Sequence, residues 1–152
     1  MANILIIHGP NLAQLGRREP AVYGRTTLAE INAGIAREAE RLGVAVSFFQ
    51  SNHEGEIVDR VSEAPGQFDG IIINPAAYSH YSVAIRDAIA AAGLPTIEVH
   101  LSNVHAREEF RRQLVVAPVV SGVIAGLGAD GYRLALLGLV SILNSCQGPK
   151  EA

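Results

Sequence analysis

The sequence predicts a doubly wound α/β domain, in which a parallel β-sheet lies between two layers of helices. Three observations support this prediction. The chain has 152 residues, the length of one ordinary domain. Apolar residues make up 49% of it and charged residues only 18%, a composition that can bury a core. Five short apolar runs each precede a segment with helical features, and such repeats form parallel sheets.

The first strand and the first long helix have clear local signals. The run NILIIH, residues 3–8, is apolar without alternation, which predicts a strand buried on both faces. The first long helix is predicted over 26–43. Thr27 and Glu30 have the spacing of a capping box at its start, and Gly43 suits its end.

The later elements follow the same alternation. Strands are predicted at 44–50, 68–75 and 94–101, and the stretch 117–128 supplies a fifth strand. A turn and a helix are predicted over 51–66, and the stretch 77–93 leads into a helix that ends at Gly93. The remaining helices are predicted at 102–114 and 129–145. The helix at 102–114 is short and has no clear end signal. Together these elements predict a single domain over 1–147 and a short flexible tail over 148–152.

A long loop separates the first strand from the first long helix. It reads HGPNLAQLGRREPAVYG, residues 8–24, and loops of this length in a compact domain are often functional. Arg17 and Arg18 shortly precede Tyr23, and a nearby guanidinium stabilises a phenolate. The alternative is that Tyr23 packs the loop while both arginines are solvated. The length of the loop favours a lid that closes over a substrate.

Polar residues follow the first, third and fourth strands, at the edge where α/β sheets bind ligands. In the fourth strand, Glu98 and His100 lie on one side because side chains alternate along a strand. A carboxylate beside an imidazole fixes its tautomer and prepares it as an acid or base. A histidine at a strand end is often structural, but the preceding carboxylate favours a functional pair.

Other patterns are weaker. GLGADG, residues 126–131, matches a dinucleotide motif, but too few residues follow it for another strand and helix, so a tight turn is the better interpretation. His100 and His105 lack the spacing of a metal pair, and no metal site is predicted. Ser79 is not within G-x-S-x-G, so a nucleophile elbow is unsupported. The stretch 107–112 is either a solvated helix face or supplies one arginine to an anionic substrate.

The composition argues against several classes of protein. The net charge is −3 without a basic block, so no nucleic-acid partner is predicted. No stretch of eighteen apolar residues occurs, so no membrane span is expected. Cys146 is the only cysteine, which permits no internal disulfide and fits a reducing cytoplasm.

Eight motifs occur in an order that resembles one known family. They are GPNL (9–12), REP (18–20), YG (23–24), QSNHEGEIVD (50–59), INPAAYSH (73–80), SVAIRDAI (82–89), EVHLSNVHAREEFR (98–111) and GVIAGLGADGYRLAL (122–136). With these motifs the chain is similar to the type II 3-dehydroquinate dehydratases over nearly its whole length.

The resemblance implies a flavodoxin-like fold, a catalytic single domain and a homododecamer built as a tetramer of trimers. The implied reaction converts 3-dehydroquinate to 3-dehydroshikimate in the shikimate pathway. It proceeds by anti elimination of water through an enolate, without metal or cofactor. Two alternatives stay open: the same step in quinate breakdown, and a weakly active flavodoxin-like binding or assembly module.

The resemblance also implies catalytic roles. Tyr23 would be the base that removes the proton next to the ketone, and Arg18 would favour its ionised form and stabilise the transition state. Asn11 would hold a water against the enolate oxygen. His100 would donate a proton to the departing hydroxyl, and Glu98 would orient it.

Six further residues are implied to contact the substrate. They are Asn74, His80, Asp87, Leu101, Ser102 and Arg111. The resemblance implies that Asp87 reaches the site of a neighbouring subunit.

The chain departs from the family's usual pattern at several positions. Arg17 stands where threonine is usual, Ala76 where glycine is usual, and Tyr81 where a small residue is usual. The other departures are at Ala13, Gln14 and 113–115.

Overall fold

Within residues 1–17 and 19–146, which the computed structural model describes, five parallel strands form one sheet. They are β1 (Asn3–His8), β2 (Ala45–Gln50), β3 (Gly70–Asn74), β4 (Thr96–His100) and β5 (Gly122–Ala125). Their spatial order is β2-β1-β3-β4-β5, the flavodoxin-like order, which changes direction between β1 and β3. The predicted fold class is therefore confirmed. The predicted tail, 148–152, lies outside the described residues.

Helices cover both faces of this sheet. They are α1 (Pro20–Tyr23), α2 (Leu28–Leu42), α3 (Glu54–Glu63), α4 (Val83–Ala92) and α5 (Asp130–Cys146). Helices α2 and α5 pack together on one face, and α3 and α4 pack together on the other. Helix α5 has 17 residues, and no helix in the described part of the chain is long and apolar enough to cross a membrane.

The central strand β1 contributes to both apolar cores, as its uninterrupted apolar run predicts. Ile4 and Ile6 point into the core beneath α2 and α5. Leu5 and Ile7 point into the core beneath α3 and α4. All four side chains are fully buried. This double burial fixes the register of the strand, because a slip of one residue would exchange the two faces.

The predicted signals at the ends of α2 are confirmed. The Thr27 hydroxyl accepts a hydrogen bond of 3.2 Å from the backbone N–H of Glu30. Gly43 ends the helix in the left-handed conformation, with φ of 71°, where a side chain is disfavoured.

The predicted helix at 102–114 is wrong. The segment contains two separate 3-10 turns, Val104–Ala106 and Glu109–Arg112, with Arg107 extended between them. The side chain of Asn103 accepts a hydrogen bond from the backbone N–H of His105 at 3.1 Å. This bond caps the start of the first turn. The helix is broken further on, at Arg107, whose guanidinium reaches the hydroxyls of Tyr23 and Ser102.

Short 3-10 turns occur in three other segments. Strand β5 lies within the predicted stretch 117–128, and residues Ala117–Val119 form a 3-10 turn before it. The stretch 77–93 leads into a helix that ends at Gly93, as predicted: a 3-10 turn comes first, and the Ser82 hydroxyl then caps the start of α4. The loop at 8–24 contains a 3-10 turn and the short helix α1, whose first residue is Pro20, a position that suits proline.

Ala76 has a strained backbone at the end of β3. Its φ is 52°, in the left-handed region that costs a residue with a Cβ about 1–2 kcal/mol. The backbone N–H of Ala76 donates to Asn74 Oδ1 at 3.0 Å. This bond closes a tight turn directly after the strand and holds the strained conformation.

Replacing Ala76 with glycine is expected to stabilise the fold. Relief of the left-handed strain outweighs the greater freedom of glycine in the unfolded chain, so the free energy of unfolding rises by about 0.5–1 kcal/mol. Urea denaturation measures this change. The matched control is Ala77→Gly in the same turn, which has no such strain to relieve and loses about 0.5–1 kcal/mol. Equal losses in both variants would contradict the prediction.

Candidate active site

A pocket opens at the carboxyl edge of the sheet, beside the ends of β1, β3 and β4. Eight of the residues predicted from the sequence line it: Asn11, Tyr23, Asn74, His80, His100, Leu101, Ser102 and Arg111. They come from the loop after β1 and from the segments that follow β3 and β4. The pocket lies at the edge where doubly wound sheets bind their ligands.

The other predicted residues lie elsewhere. Glu98 is fully buried beneath His100 in β4. Asp87 is on an exposed part of α4 and does not line the pocket. Arg18 lies outside the described residues. Its neighbour Arg17 is exposed and does not contribute to the pocket lining.

Glu98, His100 and Ser79 form a buried polar cluster under the pocket. His100 Nε2 lies 2.5 Å from Glu98 Oε2, so the two side chains share one side of β4, as the alternation of the strand predicts. The Ser79 hydroxyl donates to the same carboxylate oxygen at 3.0 Å and lies 3.3 Å from His100 Nε2. Because Nε2 is engaged from below, Nδ1 is the nitrogen that His100 can present to the pocket.

The second carboxyl oxygen of Glu98 raises the free-energy cost of burying this cluster. Glu98 Oε1 is buried and has no hydrogen-bond partner among the described residues. Burying a carboxyl oxygen without a hydrogen-bond partner is unfavourable. The contacts of Oε2 with His100 and Ser79 must therefore supply the stabilisation that holds the carboxylate in place.

His80 stands over His100 at the other side of the pocket. Its ring centroid is 6.3 Å from that of His100. The Nδ1–H of His80 donates to the backbone carbonyl of Gln113 at 2.9 Å. Burial is the main cause that lowers the pKa of His80. The ring is therefore neutral near pH 7, and its Nε2 is left as a hydrogen-bond acceptor.

Asn11 precedes the 3-10 turn Leu12–Gln14 in the loop after β1 and has a constrained backbone conformation. Its φ is 67°, which asparagine tolerates better than most residues. The backbone N–H of Asn11 donates to Asn52 Oδ1 at 3.0 Å. Gln50 Nε2 lies 3.2 Å from that same oxygen and 3.2 Å from the carbonyl oxygen of Gly9. The last residue of β2 and Asn52, which follows the strand, thus hold the first part of the loop in place.

Asn74 is tied to the core through two buried aromatic rings. Its Nδ2 donates to the Tyr132 hydroxyl at 3.1 Å. That hydroxyl lies 3.1 Å from His8 Nδ1. Burial lowers the pKa of His8 to about 4 and raises the pKa of Tyr132. Both side chains are therefore neutral at ordinary pH.

Tyr23 is in contact with an arginine that the sequence reasoning did not single out. Arg107 Nη1 donates to the Tyr23 hydroxyl at 2.9 Å, and its guanidinium carbon is 5.2 Å from the centre of the tyrosine ring. The same nitrogen approaches the Ser102 hydroxyl at 3.5 Å. A cation at this position stabilises negative charge on the phenolic oxygen.

Arg111 is the second arginine of the stretch 107–112 that lines the pocket. Its Nε donates to Glu108 Oε1 at 3.2 Å, and its guanidinium carbon is 4.9 Å from the ring centre of Phe110. Arg112 is exposed. The stretch 107–112 was interpreted either as a solvated helix face or as the source of one arginine for the substrate. The structure favours the second interpretation, with two arginines, Arg107 and Arg111, lining the pocket.

Two weaker patterns of the sequence, the possible metal ligands and the GLGADG stretch, can be compared with the described geometry. In residues 1–17 and 19–146, no three or more His, Cys, Asp or Glu side chains form a group that could hold a metal ion. In the GLGADG stretch, Gly126 and Gly128 have φ of 90° and 61°. These values support the tight turn that was inferred for it.

Comparisons with known proteins agree with this geometry. A sequence model of the family "dehydroquinase class II" matches residues 2–140. The chain belongs to the class II dehydroquinase family. A "3-dehydroquinate dehydratase" of Bacillus subtilis (strain 168) is 55% identical over 141 residues, which cover 93% of this chain and 95% of the relative. A "3-dehydroquinate dehydratase" of Geotalea daltonii is 57% identical over 141 residues, which cover 93% of this chain and 96% of the relative.

Solved structures of class II dehydroquinases have the same fold. A type II dehydroquinase from Propionibacterium acnes superposes with a TM-score of 0.89 at 45% identity, covering 93% of this chain and 97% of the other. A type II dehydroquinase from Butyrivibrio crossotus superposes with a TM-score of 0.87 at 45% identity, covering 94% of this chain and 97% of the other.

Sequence reasoning missed two residues of this class II dehydroquinase site. Arg107 had a usable signal, since it is four residues before Arg111 and both can face the same way. Ser79 had none, because its role arises only when the turn after β3 lies against β4. Its partners Glu98 and His100 are 19 and 21 residues away in the chain.

Proposed function

We propose that this class II dehydroquinase is a 3-dehydroquinate dehydratase of the shikimate pathway. It removes water from 3-dehydroquinate by anti elimination through an enolate and gives 3-dehydroshikimate. The observation that carries the proposal is one pocket that contains both a cation-paired tyrosine and a carboxylate-held histidine. An elimination next to a ketone needs such a base and such an acid.

Tyr23 is the proposed base. Its phenolate takes the proton from the carbon next to the ketone, and the electron pair moves into the enolate. Arg107 supports this role, because its N–H donates to the phenolic oxygen at 2.9 Å and its charge favours the phenolate. Arg18 has the further role of stabilising the charged transition state, by family resemblance. Asn11 holds a water against the enolate oxygen, which distributes the developing charge.

His100 is the proposed acid. When the enolate collapses, the carbon–oxygen bond of the leaving hydroxyl breaks, and a proton from His100 Nδ1 converts that hydroxyl to water. Glu98 and Ser79 hold the ring by its other nitrogen, so Nδ1 keeps its direction. A fixed acid lowers the barrier because no reorientation is needed during the reaction.

The remaining pocket residues are proposed as substrate contacts. Arg111 binds the carboxylate of the substrate, since its planar guanidinium suits a carboxylate. Asn74, His80, Ser102 and the backbone of Leu101 bind the hydroxyl groups. The alternative of a binding or assembly module has less support. A binding role does not require a tyrosine paired with an arginine and a histidine paired with a carboxylate in one pocket. No metal or cofactor takes part in the proposed steps.

The proposal extends to the organisation of the protein. Residues 1–147 form one catalytic domain, and the lone Cys146 fits a cytoplasmic location. The chain assembles as a homododecamer, a tetramer of trimers, in which Asp87 completes the site of a neighbouring subunit. Support comes from α4, where Asp87 is exposed one helical turn after Val83, which is 59% exposed. Tyr81, just before the helix, is 62% exposed.

Turnover of 3-dehydroquinate by the purified protein tests the proposed function. The product is a conjugated enone carboxylate, so ultraviolet absorbance rises as it forms. Tyr23→Phe is expected to lose nearly all kcat while it still binds the substrate, because only the base is removed. Folded wild-type protein without an absorbance rise would refute the reaction, and a Tyr23→Phe variant within a few-fold of wild type would refute the base.

Arg107→Gln is expected to lower kcat by about 10²-fold, within the usual contribution of a positioned base, because it removes the cation that stabilises negative charge on the phenolic oxygen before proton transfer. Steady-state kinetics of the ultraviolet assay measure this. The matched control is Arg112→Gln, an exposed arginine of the same segment outside the pocket lining, which stays within about two-fold of wild type. Equal effects of the two substitutions would contradict the role of Arg107.

The shared site can be tested by mixing two impaired variants. Asp87→Ala alone is expected to lose most activity, as does Tyr23→Phe. When the two are refolded together in equal amounts, about a quarter of the sites combine an intact Tyr23 with a neighbour's intact Asp87, so activity returns to about that fraction. Absence of any recovery, or sedimentation as a fully active monomer, would contradict the assembly.

A further inference from the structure

Four polar side chains form a continuous chain from α2 to the pocket: Asn32, His8, Tyr132 and Asn74. Successive polar atoms are 2.8, 3.1 and 3.1 Å apart. His8, Tyr132 and Asn74 are 0%, 1% and 3% exposed. Water cannot readily replace the contacts among these three buried side chains, so each of their donors needs an acceptor within the chain.

The direction of the first two bonds is fixed by the chemistry of their atoms. His8 is neutral, because burial lowers its pKa to about 4, so the ring carries one hydrogen. Its Nε2 faces Asn32 Oδ1, an oxygen that only accepts. The hydrogen is therefore on Nε2, and Nδ1 accepts from the hydroxyl of Tyr132.

This direction determines the orientation of the Asn74 amide. Tyr132 has used its only hydrogen on His8, so its oxygen accepts from Asn74 Nδ2. At the other end of the amide, Asn74 Oδ1 accepts from the backbone N–H of Ala76 at 3.0 Å. A flipped amide would face its carbonyl oxygen to an acceptor and its NH₂ group to a donor, which leaves buried groups unsatisfied.

We propose that Tyr132, held by His8, is a positioning residue that fixes the Asn74 amide with its second N–H directed into the pocket. This corner of the site then recognises an oxygen of the substrate as a hydrogen-bond acceptor and offers no carbonyl oxygen to it. The inference rests on the proposed function, because Asn74 is one of the substrate contacts proposed there.

The test compares Tyr132→Phe, Asn74→Ala and the double variant by steady-state kinetics. Tyr132→Phe keeps the ring in the core and removes only the hydroxyl. Its KM for 3-dehydroquinate is expected to rise about 3- to 10-fold, as for the loss of one hydrogen bond, while kcat changes by less than about two-fold. In the Asn74→Ala background the same substitution is expected to have almost no further effect on KM, since the amide it positions is absent.

Two further variants serve as control and as second test. Thr96→Val removes another buried hydroxyl, which donates to the carbonyl of Leu94 at 2.9 Å at the opposite end of the sheet. It is expected to lower stability without changing KM. Asn32→Ala removes the acceptor at the outer end of the chain and is expected to raise KM in the same direction as Tyr132→Phe. If Tyr132→Phe does not fold, the KM of Asn32→Ala tests the positioning of Asn74 instead.

A measurement that needs no turnover separates this inference from the proposed function. The side-chain NH₂ signals of Asn74 in ¹⁵N NMR spectra are expected to exchange slowly with water in the wild type and faster in Tyr132→Phe. Unchanged exchange, an unchanged KM in both Tyr132→Phe and Asn32→Ala, or independent effects of Tyr132→Phe and Asn74→Ala would overturn the inference. A wild-type protein that leaves 3-dehydroquinate unchanged would overturn the proposed function alone.

Discussion

The parallel pairing of β1 with β3 is the interaction on which the rest of the site depends. Its register sets His8 opposite Asn74, with both side chains on the face that α2 and α5 cover. The two strands stay close beyond their ends because Gly9 has no side chain. A Cβ at Gly9 would lie only 2.7 Å from the backbone of Pro75. A slip of β1 by one residue would turn His8 to the opposite face and separate it from Tyr132 and Asn74.

Most of the buried polar side chains lie at the carboxyl edge of the sheet, and removing them from water costs free energy. His8, Ser79, Asn74, Glu98 and His100 are all at most 5% exposed. Each must find hydrogen-bond partners that water would otherwise supply. The aliphatic strands of the same sheet offset this cost, because β1 and β3 fill the cores on both faces. Local polarity of this kind in an otherwise apolar fold is expected at a functional site.

How far the sequence predicts this structure depends on the range of each interaction. The fold class follows from local patterns, such as the unbroken apolar run of β1 and the cap at Thr27. Glu98 and His100 were found for the same reason, since residues two apart in a strand share a side. Ser79 and Tyr132 could not be found in this way, because their partners are distant in the chain. The segment after β4 was mispredicted because its helix is broken at the extended Arg107, whose guanidinium contacts Tyr23, 84 residues away in the chain.

The two halves of the site are built differently, and the contact between Tyr23 and Arg107 joins them. His100, Glu98 and Asn74 are held by strands and by buried partners, so their geometry is set by the fold. Tyr23 and Arg107 instead come from the segments after β1 and β4, which contain only short helical turns. The two segments are joined by the Arg107 guanidinium, which donates a hydrogen bond to the Tyr23 hydroxyl and makes a cation–π contact with the Tyr23 ring. Removing Arg107 therefore takes away both a charge beside the phenolic oxygen and a tie between the segments.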